Sequence, residues 1–506
     1  MNLKLVRPQK IFLWISLLAL FALGFVIRLY DMGDPPLDFN PTRQLHSALM
    51  ARGMYYQDRA DLPNWQRQTA VEQWKKEGLI EPPILEALTA FTYRFSGENL
   101  IVPRLYSIFF WMLAGLALYL LARDLAGELG ALLGLAYYLI LPFGAIASRA
   151  FQPDPLTVAL TTGAWWTANR WYRLPGWRSA LLAGILGGLA IFAKTTAVFF
   201  VGGAWIGLVL WGPGIKKALR DRQVWVIAAL CVLPYILFYI YGIYISGELQ
   251  SQFSLRFFPQ LWIDPVFYLR WVNLISSTAG FEWTVLAFLA CLAVNDKAQR
   301  AMLLCIWAGY LIYGLTLPYH ISTHDYYQLP LIPLVALGLA VGAQHLINLL
   351  RGPRWLVYPV VLAVVLGVVV LKAWDVRVTL KRDDYRQEIS FWKKLGDKLG
   401  PGADVIGLTH DYGYRLAYWG WVNSDSWMTS GDFNYRELAG QTYEFDQLFA
   451  DKVAAKDYFV ITLFGELDHQ PALKKTLETR YPVFEKSDDY IIYDLRHPLP
   501  SAGTKH

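Results

Sequence analysis

Apolar runs separated by short polar breaks follow one another from residue 11 to about residue 374, and there the pattern stops. Eleven of these runs are long enough to cross about 30 Å of hydrocarbon as helices, once tilt and apolar ends are included. They lie near residues 11–27, 105–121, 129–147, 156–169, 179–193, 196–211, 225–242, 281–294, 301–317, 329–349 and 355–374. Two intervening segments, 28–104 and 243–278, are too long to be simple connections. Within the first, Thr42–Tyr56 has the pattern of an amphipathic helix suited to a membrane surface. Beyond residue 374 the texture changes. Tyr385–Leu399 alternates as a helix ending at Gly400-Pro401-Gly402, and Asp404–Leu408, Tyr458–Leu463 and Tyr490–Leu495 read as strands. The pattern predicts a polytopic α-helical membrane protein with a C-terminal soluble mixed α/β domain. Residues 1–374 form the membrane module, including the outer loop 28–104, and residues 375–506 form the tail.

Composition agrees and adds an orientation. Apolar residues make up 55% of the 506, with 21 Trp and 30 Tyr, above the roughly 45–50% of soluble domains. The chain carries a formal charge of +6, while the tail from Asp375 onward holds 17 basic and 21 acidic residues. The positive excess therefore flanks apolar spans, which argues for membrane orientation and against nucleic-acid binding. With a cytoplasmic N-terminus, the short inner segments carry fifteen Lys and Arg, from Lys4 to Arg354, and the short outer ones four: Arg149, Lys194, Arg256 and Arg270. That asymmetry sets a cytoplasmic N-terminus in a plasma or inner membrane, and eleven spans then place the tail outside. The first span has a basic start and Ala22-Leu23-Gly24, features of a cleaved signal, but losing it would break this loop parity, so it reads as an anchor.

Cys231, Cys291 and Cys305 all lie in apolar runs without ligand spacing, which excludes a disulfide framework or zinc site. Ionisable residues are nearly absent inside the spans and collect at their outer ends. An ion-coupled transporter would need them near the midplane. Asp38 and Glu81 lie in the first loop, Arg104 opens the second span, and Arg149 and Asp154 bracket the turn before the fourth. Lys194 separates the fifth and sixth spans, and His320, His324, Asp325 and Tyr327 precede the tenth. Carboxylates and cations thus share one membrane depth, that of a lipid phosphate. Each has a plain structural alternative: a solvated turn for Asp38, a helix N-cap for Asp154, interfacial snorkelling for Arg149 and Lys194, an aromatic belt for Tyr327.

Several segments resemble GT-C membrane glycosyltransferases, nearest the protein O-mannosyltransferase and aminoarabinose-transferase superfamily (glycosyltransferase family 39). They are DFNPTRQ at 38–44, EPPILEALTAFTYRFSG from Glu81, IVPRLYS at 101–107, SRAFQPDPLTVAL at 148–160, GLAIFAKTTA at 188–197 and HDYYQLPLIPL at 324–334. The similarity spans roughly residues 10–350, and the order of motifs is more specific than any one. It implies an outward-facing site that moves a hexose or pentose from a polyprenyl-phosphate carrier to an acceptor lipid, glycan or protein, with inversion.

By the same resemblance, Asp38 matches the general base, although Phe39 stands where relatives often have a second acid. Asp154 matches the second aspartate. Glu81 stands before Pro82-Pro83 where relatives often have His or Lys, which puts a phosphate contact there in doubt. Arg149 and Lys194 are candidates for the carrier phosphate, with Arg104, His324 and Tyr327 as further substrate contacts. No ligand spacing singles out a metal, and a divalent cation (Mg or Mn) on Asp38, Asp154 and Glu81 is left open. A lipid or glycan transporter, a polysaccharide ligase or polymerase, and a non-catalytic scaffold are the alternatives.

Overall fold

A computed structural model describes residues 7–78, 80–249, 256–349 and 354–500. Lys4 and Arg351, two of the charges used for orientation, lie outside them, as does part of the second outer segment. Each of the eleven expected spans falls on a helix, from Arg7–Leu29 to Arg354–Leu380. Among the described residues five helices are by themselves long and apolar enough to cross a membrane, or six if the bent pair Pro265–Thr278 and Phe281–Cys291 is one span. Glu128–Ile140, Trp177–Ala193 and Ala197–Trp211 are apolar but shorter. The run expected as 129–147 is in fact broken, because Pro142 lacks the N–H to continue the first helix and starts the second, Pro142–Ala147. The chain is a multi-pass membrane protein.

Contacts divide the chain into two compact units. One comprises residues 1–33, 79–85 and 101–383; the other comprises 34–78, 86–100 and 384–506. The first outer loop, expected to go with the membrane module, therefore groups mostly with the tail.

In the membrane unit, small residues set how closely helices approach. Gly203 and Gly207 lie one turn apart on Ala197–Trp211, against Lys297–Thr316. A Cβ on Gly203 would lie 2.5 Å from the Cys305 carbonyl oxygen, and one on Gly207 would collide with the Met302 backbone. This glycine spacing is the usual device for drawing helices together in lipid, where no hydrophobic force does so. It fixes the helix that follows Lys194 against the helix that carries Tyr313.

In the second unit, the helix Pro41–Tyr56 is buried along nearly its whole length, from Gln44 to Gly53 and at Tyr55 and Tyr56. It packs against Asn64–Lys76 and Tyr414–Gly420, so the surface helix expected over Thr42–Tyr56 is instead a core element. Arg52 holds the assembly: Nη1 donates to the Tyr418 carbonyl at 2.6 Å, Nε and Nη2 reach Glu98 at 2.8 Å, and the guanidinium stacks 3.7 Å from the Tyr418 ring. Gln73 Nε2 donates to the Ala417 and Val422 carbonyls.

The tail forms a mixed five-stranded sheet: β1 Asp404–Leu408, β2 Asn423–Ser426, β3 Tyr458–Ile461, β4 Val483–Lys486 and β5 Ile491–Asp494, in the order β2-β1-β3-β5-β4. β1 pairs in parallel with β2 and β3, while β3–β5 and β5–β4 are antiparallel. β3 and β5 are buried throughout and β1 beyond its first residue, with Ile406, Phe459, Ile461 and Trp427 in the core. The three strands read from sequence are these central ones; the two edge strands went unread.

Candidate active site

Asp154 lies between two prolines, and that placement decides its role. Pro153 is the N-cap and Pro155 sits in the first turn of the helix Asp154–Arg173. Asp154 is thus the first helical residue and not the N-cap, which was its plain structural alternative. Its carboxylate still gains from the helix N-terminus. Lys194 ends Trp177–Ala193 in an extended conformation, and the break before Ala197 leaves its side chain at the junction of two helices. The two meet: Lys194 Nζ donates to Asp154 Oδ1 at 2.7 Å, with side chains 8% and 5% exposed.

Two rings wall this pair, with Lys194 Nζ 5.2 Å from the centroid of Tyr326 and 5.3 Å from that of Tyr327. Tyr327 stacks on Tyr313 at 5.9 Å and 7°. The pair lines a small pocket with Thr157, Thr161, Trp165 and Tyr313 among others. Asp154 Oδ2 is buried and has no hydrogen-bond partner among the described residues. A buried carboxylate oxygen with nothing to accept from is costly, and usually marks a place where another molecule donates.

His324 caps the short helix Pro318–Thr323, and its Nδ1 lies 2.8 Å from Thr323 Oγ1. It stacks on His320 at 5.6 Å, and His320 is 5.4 Å from the Tyr327 ring. Burial pushes His320 down to about 3, helped by the charges of His324, Arg256 and Lys194, so it is neutral across the physiological range. The turn after it is held by Gln328, which accepts from Tyr310 Oη at 2.6 Å and donates to the Ile321 carbonyl.

Arg149 and Arg104 also hold the backbone. Both are buried. Arg149 donates to the Tyr30 carbonyl at 2.7 Å and to the Asp31 carbonyl at 3.4 Å, and Arg104 donates to the Met32 carbonyl at 3.1 Å. Two guanidinium groups thus bond three successive carbonyls just past the end of the helix Arg7–Leu29. Lys381 adds an ion pair to Asp31 at 3.2 Å. Glu81 lies half-buried in the membrane unit.

Asp38 belongs to the other unit, where its loop has a built shape. Leu37 and Phe39 are buried while Asp38 between them, on a turn and bend, is exposed. Gln44 Nε2 donates to the carbonyls of Pro36 at 3.1 Å and Phe39 at 2.6 Å, clamping the loop on both sides of Asp38. Asn40, in the left-handed conformation, turns the chain into the helix Pro41–Tyr56. Asp34 is unlike Asp38: it is buried, accepts from the Tyr385 backbone N–H at 2.9 Å and lies 3.7 Å from Arg386.

Among the described residues no group of three or more His, Cys, Asp or Glu is placed to hold a metal ion.

The fold is of the GT-C type. It is similar to a crystal structure of ArnT from Cupriavidus metallidurans bound to undecaprenyl phosphate, with a TM-score of 0.59, 14% identity, and coverage of 95% of this chain and 97% of that one. It is also similar to the archaeal oligosaccharyltransferase AglB from Archaeoglobus fulgidus in complex with an inhibitory peptide and a dolichol-phosphate: TM-score 0.53, 12% identity, 98% of this chain and 76% of that one. Residues 80–241 match the dolichyl-phosphate-mannose-protein mannosyltransferase family. No curated protein sequence matches the chain.

Proposed function

We propose that the protein transfers a sugar from a polyprenyl-phosphate carrier to an acceptor on the outer face of the membrane, inverting the anomeric centre. The observation that carries this reading is the buried Lys194–Asp154 pair, with its unsatisfied carboxylate oxygen, lining a small pocket. The ligands in the ArnT and AglB structures support a lipid-phosphate donor, and an outward site has no access to cytosolic nucleotide sugars.

An acceptor hydroxyl attacks C1 of the sugar and gives its proton to the Asp38 carboxylate. The bond from C1 to the phosphate oxygen breaks, and the oxygen leaves with the electron pair. Lys194, one of whose three N–H donors faces Asp154, has two left for that growing charge. Asp154 pairs with Lys194 and orients it, and its open oxygen accepts a hydroxyl of sugar or acceptor. Arg149 and Arg104 act at one remove, by fixing the Tyr30–Met32 segment that leads into the Asp38 loop. In this reading the N-terminus is cytoplasmic and the tail lies outside, in a plasma or inner membrane.

The test is purified protein with labelled polyprenyl-phosphate sugar and a panel of lipid, glycan and peptide acceptors. Transfer releases free polyprenyl phosphate in step with labelled acceptor. A transporter in vesicles would relocate the donor intact, and that result would refute the proposal.

A further inference from the structure

The helix Pro265–Thr278 closes the second outer segment and sends Trp271 into the membrane unit. The indole lies across Gly314 of the helix Lys297–Thr316, where a Cβ would collide with the ring. From there a chain of polar groups runs to the turn that walls Lys194. Trp271 Nε1 donates to Tyr310 Oη at 2.8 Å, Tyr310 Oη donates to Gln328 Oε1 at 2.6 Å, and Gln328 Nε2 donates to the Ile321 carbonyl at 2.9 Å. All three side chains are buried, Gln328 completely.

The chain has one possible direction. An indole N–H only donates, so Tyr310 accepts from it and spends its single proton on Gln328. The amide is then oriented, oxygen toward Tyr310 and nitrogen toward Ile321. A buried network satisfied at every link specifies one arrangement of the parts it joins. Here those parts are the two arms of the turn. Ile321 lies on Pro318–Thr323, the helix that carries His320 and is capped by His324. Gln328 directly follows Tyr326 and Tyr327, the rings 5.2 and 5.3 Å from Lys194 Nζ. The helix that carries Tyr310 also carries Tyr313, on which Tyr327 stacks.

We propose that Trp271, Tyr310 and Gln328 are positioning residues for the transfer: they hold the Tyr326 and Tyr327 rings against Lys194 and so aim its ammonium at the carrier phosphate. The proposal rests on the assignment of Lys194 to that phosphate. It gives the second outer segment a part in the reaction without contact to substrate. The direction of the chain ranks the three residues. Trp271→Phe removes the first donor and should stay within about threefold of wild type, because both links to the turn remain. Gln328→Leu frees both arms at once. Since a displacement of about 1 Å can cost about a hundredfold, it should lower kcat at least about tenfold with donor KM little changed.

The test measures single-turnover release of polyprenyl phosphate by wild type, Gln328→Leu, Lys194→Met and the double variant. In parallel, a fluorotyrosine placed at position 327 reports the ring's surroundings by fluorine NMR. A residue that acts through Lys194 should add less than about twofold to the loss in Lys194→Met. The fluorine resonance should shift or broaden in Gln328→Leu. Equal losses with and without Lys194, or an unmoved resonance, would overturn the relay and leave the transferase reading standing. No release by wild type, with the resonance moved as expected, would sink the transferase reading and not the relay. Should Gln328→Leu not fold, Tyr310→Phe replaces it, since it cuts the same chain at the Tyr310 hydroxyl.

Discussion

Replacing Lys194 with Met separates two roles that the Lys194–Asp154 pair could have. The side chains are 8% and 5% exposed and 2.7 Å apart. Removing the cation leaves a buried carboxylate without its partner, which typically costs about 3–5 kcal/mol. Asp154→Asn leaves Lys194 with two tyrosine rings and an amide oxygen, and costs less. In the double variant neither charge remains, and replacing both members of a buried pair is often near neutral. The transfer reaction behaves otherwise. A charge-assisted contact to the carrier phosphate is worth about 1.5–3 kcal/mol, or roughly ten- to a hundredfold, and the double variant cannot restore it. Thermal unfolding in detergent and release of free polyprenyl phosphate are measured on the same preparations. Lys194→Met should lose stability and activity; the double variant should regain most of the stability and none of the activity. A double variant that turns over within severalfold of wild type would refute the reasoning, because the pair would then be only structural.

Three other outcomes follow from particular contacts. Glu77 accepts from Tyr414 Oη at 2.6 Å and lies 3.5 Å from His46 Nε2, and burial pushes its carboxyl up from 4.5 to about 7. The folded form then binds the proton more tightly than the unfolded one, so this group's contribution is most favourable below about pH 4.5 and declines until pH 7, by about 3 kcal/mol. Glu77→Gln should therefore raise the melting temperature more at pH 8 than at pH 5, and a larger gain at pH 5 would contradict the assignment. Gln44→Ala removes both clamps on the Asp38 loop and should lower kcat with little change in donor KM; full rescue by Gln44→Glu, which cannot donate to those carbonyls, would argue against a clamp. A reporter active only in the cytoplasm should be silent when fused after Asp375 and active near Lys216, and the reverse pattern would defeat the outward-facing site.

Much of this was visible in the chain because one physical rule dominates each part. Lipid demands long apolar helices, so a helix sits at every expected span. Lys194 and Asp154 stand out as charges at the ends of apolar runs, and the structure brings them together. Thr157, Thr161 and Trp165 follow Asp154 at helical spacing and were legible in principle, but threonine on a helix face carries no chemical signature. The bonds of Arg149 and Arg104 to the backbone were not legible, because a cation near a membrane surface looks alike whether it meets a phosphate or a carbonyl. The edge strands were missed for an equally local reason: Asn423-Ser424-Asp425-Ser426 has no apolar alternation, and Val483 and Phe484 are exposed. Grouping of the first loop with the tail rests on Arg52 and Gln73, whose partners lie more than 340 residues away in sequence.

The central claim, acceptor deprotonation by Asp38 during sugar transfer, is tested most directly by one rate. Single-turnover release of polyprenyl phosphate is measured for wild type, Asp38→Asn and Asp61→Asn, with donor binding followed separately. Asp61 is the better control: it is an exposed loop acid paired with Arg59, whereas Asp31 and Asp34 hold ion pairs of their own. A general base contributes about 10²–10⁴ in rate. Asp38→Asn should therefore fall at least about a hundredfold with donor binding intact, while Asp61→Asn stays near wild type. Near-normal transfer by Asp38→Asn, or an equal fall in Asp61→Asn, would contradict the account.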